Sequence, residues 1–438
     1  MSRCCFSPSQ LDEARRYAEA LFETVRKLSR SSEGVTREAF GPVETETLAC
    51  IEAAGRSIGL SARCDAAGNL WLERAGQAPA SAKIVLGSHA DSVPEGGNYD
   101  GLAGIAAGLT ALFLLEKQGL KLKRTVAVLA LRGEENSFYG KPYLGSRALL
   151  GMLGADDLAL VRRDGAKTLA DAMRACGLDP QALSTGKPLI DLAALRCFIE
   201  LHIEQGPILD MEDERRTGIV TGIRGLYSHK AIRCERVDPA APADAVPRAV
   251  TALLCRMEAL WADRLAAGED LVETTGVIGR AAESPGSAGA RGSNEDDPLA
   301  PVKAVDFAFD IRSLRRETCL DFHAALEDEA RRIGEARGVR FRFDSLLESH
   351  PAAMDETLRG ILHRSAEAAG VPVRDIASGA GHDAAYFANA GIPTAMLFVA
   401  NQRGSHNPHE AMRIEDFMAG VEVLAAALPL LGESPNVP

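Results

Sequence analysis

Four short runs of this sequence carry residues that could do chemistry together. The run "GSHADSVPEGGNYDG" (87–101) sets His89, Asp91 and Asp100 inside one glycine-rich segment. The run "LALRGEEN" places Glu134 beside Glu135, "ELHIEQG" holds His202, Glu204 and Gln205, and "GSHNPHE" holds His406 and His409. Each lies at or soon after the end of an apolar run of the kind that forms a buried strand. Adjacent acids at such a strand end are costly if buried without compensation. A cation would compensate them, and imidazoles mixed with carboxylates suit zinc, manganese or a related divalent ion. Two ions held ~3.5–4 Å apart would need a bridging carboxylate and a water shared between them. Taken singly, each run has a plainer reading: His89 as a turn histidine, Glu134/Glu135 as an exposed helix start, His202 as a core histidine.

Those runs need elements to hold them. Before His89, "SAKIVL" reads as a buried strand; after Asp100, "LAGIAAGLTALFLLEKQGL" reads as a long apolar helix. Polar residues between a core strand and a helix lie where α/β enzymes build their sites. Further buried strands are predicted at 125–136, 195–206 and 393–400, and helices at 9–30, 43–58 and 354–370. A short strand pair surrounds the Gly68-Asn69 turn. This alternation predicts an α/β fold, a mostly parallel sheet with helices on both faces. After about residue 213 the texture changes: "TGIVTGIRGLYSHKAIRCERV" reads as a strand with one face open to water. A helix at 243–268, a strand near 270–279, a Gly/Ser/Asp-rich loop at 283–297, the strand "VKAVDFAFDIRS" and a helix at 316–337 follow. That order predicts an inserted α+β domain of ferredoxin-like type.

The chain has 438 residues with 46% hydrophobic and 25% charged, as in ordinary globular proteins. A net charge of −12 argues against nucleic acid or an anionic membrane as the main partner. No apolar run has transmembrane length, and the N-terminal residues lack a secretory pattern, so the cytoplasm is the expected compartment. Nine cysteines, an odd number without CxxC spacing, suggest neither a disulfide framework nor a thiolate metal site.

At this point a resemblance becomes specific. The runs "GSHADSVPEGGNYDGLAGIAAGL", "GEENSFYGKPYLGSRALLG", "ELHIEQGPIL" and "SGAGHDAAYFA…GSHNPHE" resemble the dinuclear metallohydrolases that include allantoate amidohydrolase, N-carbamoyl-L-amino-acid hydrolase and β-ureidopropionase. "GVTREAF" (34–40) and "DAAGNLWLER" (65–74) fit that subgroup better than the related aminoacylases and dipeptidases. The resemblance implies two divalent metals per chain, zinc or manganese, with cobalt or nickel as alternatives. It implies that His89 and His202 bind one metal, that Glu135 and His406 bind the other, and that Asp100 bridges them. Asp91 would orient His89, and Glu134 would be the general base that turns the shared water into a hydroxide nucleophile. Gln205, Arg312, His382 and Gly379 would contact substrate, Arg312 as a fork for a carboxylate. The family dimerises through its lid, so a homodimer is implied. The domain reading becomes a catalytic domain at 1–212 and 346–438 and a lid at 213–345.

The sequence also departs from the family. Members carry a lid histidine in a motif of the form H-A-G-T-T-P-M; here the stretch is "CERVDPAAPADAVPRA", with Pro239 near its place. A lid asparagine is also missing, Leu299 standing near it. His229, Arg233 and Arg236 are candidate replacements. The reading favoured is a hydrolase of an amide or ureido C–N bond in a small polar, carboxylate-bearing molecule. Alternatives are an aminoacylase- or dipeptidase-like hydrolase, a deaminase, or a non-catalytic metal-binding dimer.

Overall fold

The structure is a computed structural model and describes residues 6–280 and 302–433. The loop at 283–297, Leu299 and the adjacent Cys4 and Cys5 lie outside the described residues. The chain forms two compact units, Met1–Ile223 with Ala353–Pro438, and Arg224–Ala352.

In the first unit the central sheet runs Ser61–Cys64, Leu70–Arg74, Val126–Leu131, Lys83–His89, Leu195–Ile203, Thr394–Val399, Thr217–Ile223 and Val373–Ser378. The inner strands Val126–Leu131, Lys83–His89, Leu195–Ile203 and Thr394–Val399 are parallel neighbours. Their burial explains the sequence: every residue of Val126–Leu131, Leu195–Ile203 and Thr394–Val399 is buried, so both faces of the first and last are apolar, while one face of Leu195–Ile203 carries the buried Arg196, Glu200 and His202. Helices Leu102–Lys117 and Ile414–Glu433 are apolar almost all round because they too are buried, and they pack with Pro8–Ser29 into one core.

Two glycines set how closely the first helix approaches the site. Gly101 has φ 67°, and a Cβ there would lie 2.5 Å from the His89 ring. Gly104, one turn into the helix, has space only for hydrogen, since a Cβ would stand 2.3 Å from the Leu201 carbonyl oxygen. The helix therefore lies directly on the strands that carry His89 and His202.

The second unit is an antiparallel sheet in the order Val339–Phe343, Gly225–Arg236, Ala304–Ser313 and Val272–Arg280, with Leu347–Ser349 also pairing Gly225–Arg236. Helices Ala245–Ala266 and Arg316–Arg337 join its strands in an apolar core that includes Tyr227, Ile232, Phe307, Phe309 and Phe322. The run 217–237 differs from its reading as one strand. Thr217–Ile223 is almost wholly buried in the first sheet, and only Gly225–Arg236 shows the alternation of a half-open sheet. The threonines and glycines of the first piece imitate polar alternation although both of its faces are covered. The units part at Ile223/Arg224 and at Ala352/Ala353, against 212/213 and 345/346 from the texture.

His229 and His323 face each other within the second unit. His229 is 2% exposed, with Nδ1 2.9 Å from Asp344 Oδ1 and Nε2 2.6 Å from His323 Nε2. Arg233 is paired with Asp306 at 2.8 Å.

Gly104→Ala forces a methyl group against backbone, so it is expected to cost about 1–3 kcal/mol, the range for overpacked cores. Urea denaturation measures this, and an unchanged midpoint would mean that the helix can shift without penalty.

Candidate metal centre

The ends of the parallel strands deliver the polar residues. His89 closes its strand, His202 stands one residue from the end of the neighbouring strand, and His406 follows Thr394–Val399 in a loop. His89 Nδ1 faces the Asp91 carbonyl at 3.1 Å, and His202 Nδ1 faces the Ile203 carbonyl at 2.9 Å. A carbonyl can only accept, so each Nδ1 carries the proton and each Nε2 is left as the coordinating nitrogen. Both Nε2 atoms lie 3.2 Å from Asp100 Oδ1. His406 Nε2 stands 3.3 Å from Asp100 Oδ2 and 3.3 Å from Glu135 Oε1. Among the described residues, four donor groups have their ligand atoms within 4.8 Å of one another; His89–Glu134–Glu135 and Glu200–His202–His382 lack Asp100, and the other two are His89–Asp100–His202 and Asp100–Glu135–His406. Asp100 belongs to both of the latter.

The donor set fits divalent ions. Buried Glu135 Oε1 receives no hydrogen bond, although His406 is near it. Neutral imidazole nitrogens and carboxylate oxygens converge, and both kinds of atom attract positive charge. The electrostatics agree. Burial alone would push Asp100 up, but His202, His406 and His89 hold it well below the usual carboxylate range. Burial disfavours a charged His89, yet Glu134, Asp100 and Asp91 outweigh that and raise it well above an ordinary histidine. The carboxylates of Asp100 and Glu135, each 3.3 Å from its Nε2, push His406 up to about 11. A field that favours protons on these rings also favours metal cations between them.

Glu134 lies beside the two groups that share Asp100, Oε2 3.9 Å from His89 Nε2. Burial, reinforced by Glu135, Asp383 and Asp91 against the pull of His89, raises it well above the usual range. Such a carboxylate is a stronger base than an exposed one. Asp91 is fully buried, and its two oxygens accept the backbone N–H groups of Glu134 at 2.9 Å and Glu135 at 3.0 Å. Its contact with His89 Nδ1 is longer, 3.4 Å, so aiming the two glutamates is its stronger role. Behind them Glu44 accepts from Arg132 Nε at 2.6 Å and from Gly133 N at 2.9 Å, an ion pair inside the core.

Gln205 donates to Asp100 Oδ2 at 2.7 Å. His382 is buried edge-on to His202, its Nε2 3.1 Å from Ser378 Oγ. Gly379 is exposed in the turn before it, and His409 is exposed outside these four donor groups. Arg312 belongs to the second unit, where it pairs with Asp310 at 3.1 Å.

Several site residues were missed in the sequence. Glu200 shares a strand face with His202, two residues on, and accepts from Ser88 Oγ and Ala384 N. That spacing was a usable signal. Glu410 accepts from Tyr99 N and Asp100 N, and so holds the Asp100 loop. Asp383 accepts from Ser146 Oγ at 2.6 Å. Nothing local in the sequence points to these last two contacts.

A mostly parallel sheet with imidazoles and carboxylates gathered at its strand ends, together with a separate α+β unit, defines an α/β protein built around a metal-type centre. Residues 85–429 match the family described as Peptidase family M20/M25/M40, and the chain belongs to that family. Relatives include an N-carbamoyl-L-amino-acid amidohydrolase of Paenarthrobacter aurescens, 32% identical over 94% of this chain and 98% of that protein. An allantoate amidohydrolase of Escherichia coli is 30% identical over 94% of this chain and 97% of its own length. Among solved structures, an amidase of the hydantoinase/carbamoylase family from Burkholderia multivorans superposes with a TM-score of 0.83 at 26% identity, covering 96% of this chain and 98% of that one.

Asp91→Ala removes the acceptor of both glutamate amides, and groups that orient metal ligands are typically worth about 10–100-fold in metal affinity. Competition against a chromophoric chelator is expected to show a loss of that size. Equal affinity in the variant would remove Asp91 from this role.

Proposed function

We propose that the chain is a metal-dependent amidohydrolase that cleaves the ureido or amide C–N bond of a small, carboxylate-bearing molecule. The observation that carries this reading is Asp100 shared between two donor groups with the buried Glu134 beside them. The named relatives, matched over nearly their full length, support the bond type.

In this reading His89 and His202 would hold one ion and Glu135 and His406 the other, with Asp100 in both donor groups. Two divalent ions there supply Lewis acidity, polarising a carbonyl oxygen and bringing the ionisation of water towards neutrality. Glu134 takes a proton from the attacking water as its oxygen bonds to the carbonyl carbon. When the C–N bond breaks, Glu134 returns that proton to the departing nitrogen. Gln205 and Ser405, both donating to Asp100, keep its carboxylate turned towards the imidazoles. Gly379 and His382, by position and motif, are substrate-side residues, and Arg312, by its motif, is the carboxylate anchor.

Zinc or manganese is the expected metal. A homodimer through the second unit belongs to the same reading. Val339–Phe343 is an edge strand there among the described residues, beside a cavity of about 610 Å³ lined in part by Glu327, Arg331, Phe341 and Phe343. A cytoplasmic setting fits the described cysteines, all of them free. No helix among the described residues is long and apolar enough to cross a membrane.

The test is product release by zinc- and manganese-loaded protein on allantoate, N-carbamoyl amino acids, N-acyl amino acids and dipeptides. Turnover of a ureido acid is expected, with kcat falling about 10²–10⁴-fold in Glu134→Gln, the usual worth of a general base. Turnover confined to dipeptides would replace the proposed bond type, and full activity in Glu134→Gln would remove the base. For the dimer, light scattering on the full chain should give twice the chain mass; a monomer mass refutes it.

A further inference from the structure

We propose that Tyr143 is a further catalytic residue, its hydroxyl donating a hydrogen bond to the oxygen of the scissile carbonyl as negative charge gathers there. The inference rests on the hydrolytic reading above.

The backbone returns Tyr143 to the strand end that carries the paired glutamates. Tyr143 N donates to the Glu134 carbonyl at 2.8 Å, Leu144 N to that of Gly133 at 2.8 Å, and Gly145 N to that of Arg132 at 2.8 Å. Tyr143 is therefore a direct backbone neighbour of Glu134 although nine positions later in sequence. It adopts φ 63° and ψ 35°, the left-handed region that residues with a Cβ seldom enter. Of the five other non-glycine residues with positive φ among the described residues, Gln205 and His406 belong to the metal centre, while Phe40, Glu95 and Arg403 do not. Strained backbone of this kind collects where a side chain must be aimed.

The side chain reaches the opposite wall of the site. A Cβ on Gly381 would lie 2.1 Å from the Tyr143 hydroxyl oxygen, so only a glycine there lets the phenol pass. Gly381 immediately precedes His382 and Asp383. The hydroxyl thus spans from the Glu134 segment to the His382 segment. The ring is clamped from behind: Tyr386 packs on it at 4.7 Å, and Arg147 holds Tyr386 through its hydroxyl at 2.5 Å and over its ring at 4.7 Å.

Among the described residues nothing accepts from or donates to the Tyr143 hydroxyl, and that oxygen is not among the sealed unpaired atoms. A phenol whose ring is fixed and whose hydroxyl is neither paired nor sealed can donate to a substrate oxygen. Burial, and next the charge on Glu134, push the phenol well above its ordinary range, so it keeps its proton throughout. A donor beside the general base is well placed for the carbonyl oxygen, because the carbon under attack must lie within reach of the water that Glu134 deprotonates. Tyr143 forms no bond to substrate and exchanges no proton; it only stabilises charge.

Tyr143→Phe keeps the ring and removes the hydroxyl. In the metal-loaded protein kcat is expected to fall about 100-fold, the usual worth of one such donor, with KM within about threefold of the parent. An unchanged kcat, or an effect confined to KM, overturns the proposal. Calorimetry with methylphosphonate, a tetrahedral anion, gives a readout that needs no turnover: affinity should weaken about tenfold or more in the variant, as for a hydrogen bond to a charged group. Equal affinity in the two proteins, or no binding by the parent, also overturns it. A parent chain that binds methylphosphonate yet hydrolyses nothing in the panel counts against the hydrolytic reading, while the affinity comparison still decides the role of Tyr143.

Discussion

A buried carboxylate facing three imidazoles is the constraint around which the first unit is organised. Asp100 has three ring nitrogens within 3.2–3.3 Å of its oxygens and further donors in Gln205 and Ser405. An unpaired carboxylate at that depth would be strongly unfavourable, so each partner has to arrive from its own part of the chain. Strands Lys83–His89, Leu195–Ile203 and Thr394–Val399 are successive parallel neighbours, and their C-terminal ends point the same way. Residues far apart in sequence can therefore meet at one atom pair without any long loop crossing the core. That is the geometric advantage of parallel sheets for building sites.

The same economy appears one layer out. Asp91 uses its two oxygens on two consecutive amides, which fixes the glutamates that follow the next strand. Glu44 and Arg132 form an ion pair with almost no exposure, and the same carboxylate takes the Gly133 amide. Burial pushes Glu44 up to about 7 even against the adjacent guanidinium. Buried ion pairs seldom gain much net stability. What the ion pair adds is direction: it pins the backbone from which Glu134 and Glu135 project.

Much of this was legible in the sequence, for physical reasons. Strands buried on both faces must be continuous apolar runs, so the inner strands stood out, and the polar residues at their ends stood out against them. His89, Asp100, Glu134, Glu135, His202 and His406 were visible on that ground and are brought together. Pairing across the fold was not visible. The amide partners of Asp91, the hold of Glu410 on the Asp100 loop and the bond from Ser146 to Asp383 are tertiary contacts between residues whose local patterns are ordinary. Glu200 is the intermediate case, readable from its two-residue offset to His202. The run 217–237 was misread because threonine and glycine look polar in a pattern while packing as small core residues. The helix Leu144–Leu149 went unread because its start is a left-handed tyrosine instead of a capping side chain.

The centre also shows two solutions to one backbone problem. Chains that turn sharply at strand ends must enter left-handed conformations, which cost a residue with a Cβ about 1–3 kcal/mol. At Gly101 the problem is solved by deleting the side chain, because the His89 ring occupies the space a Cβ would need. At Gln205 and His406 deletion is impossible, since the side chains are themselves the partners of Asp100. The strain there is tolerated because the Asp100 contacts favour the conformation that the backbone resists. Glycine marks where the chain must yield to the site, and strained non-glycine residues mark where the site needs a side chain that the backbone alone would not place.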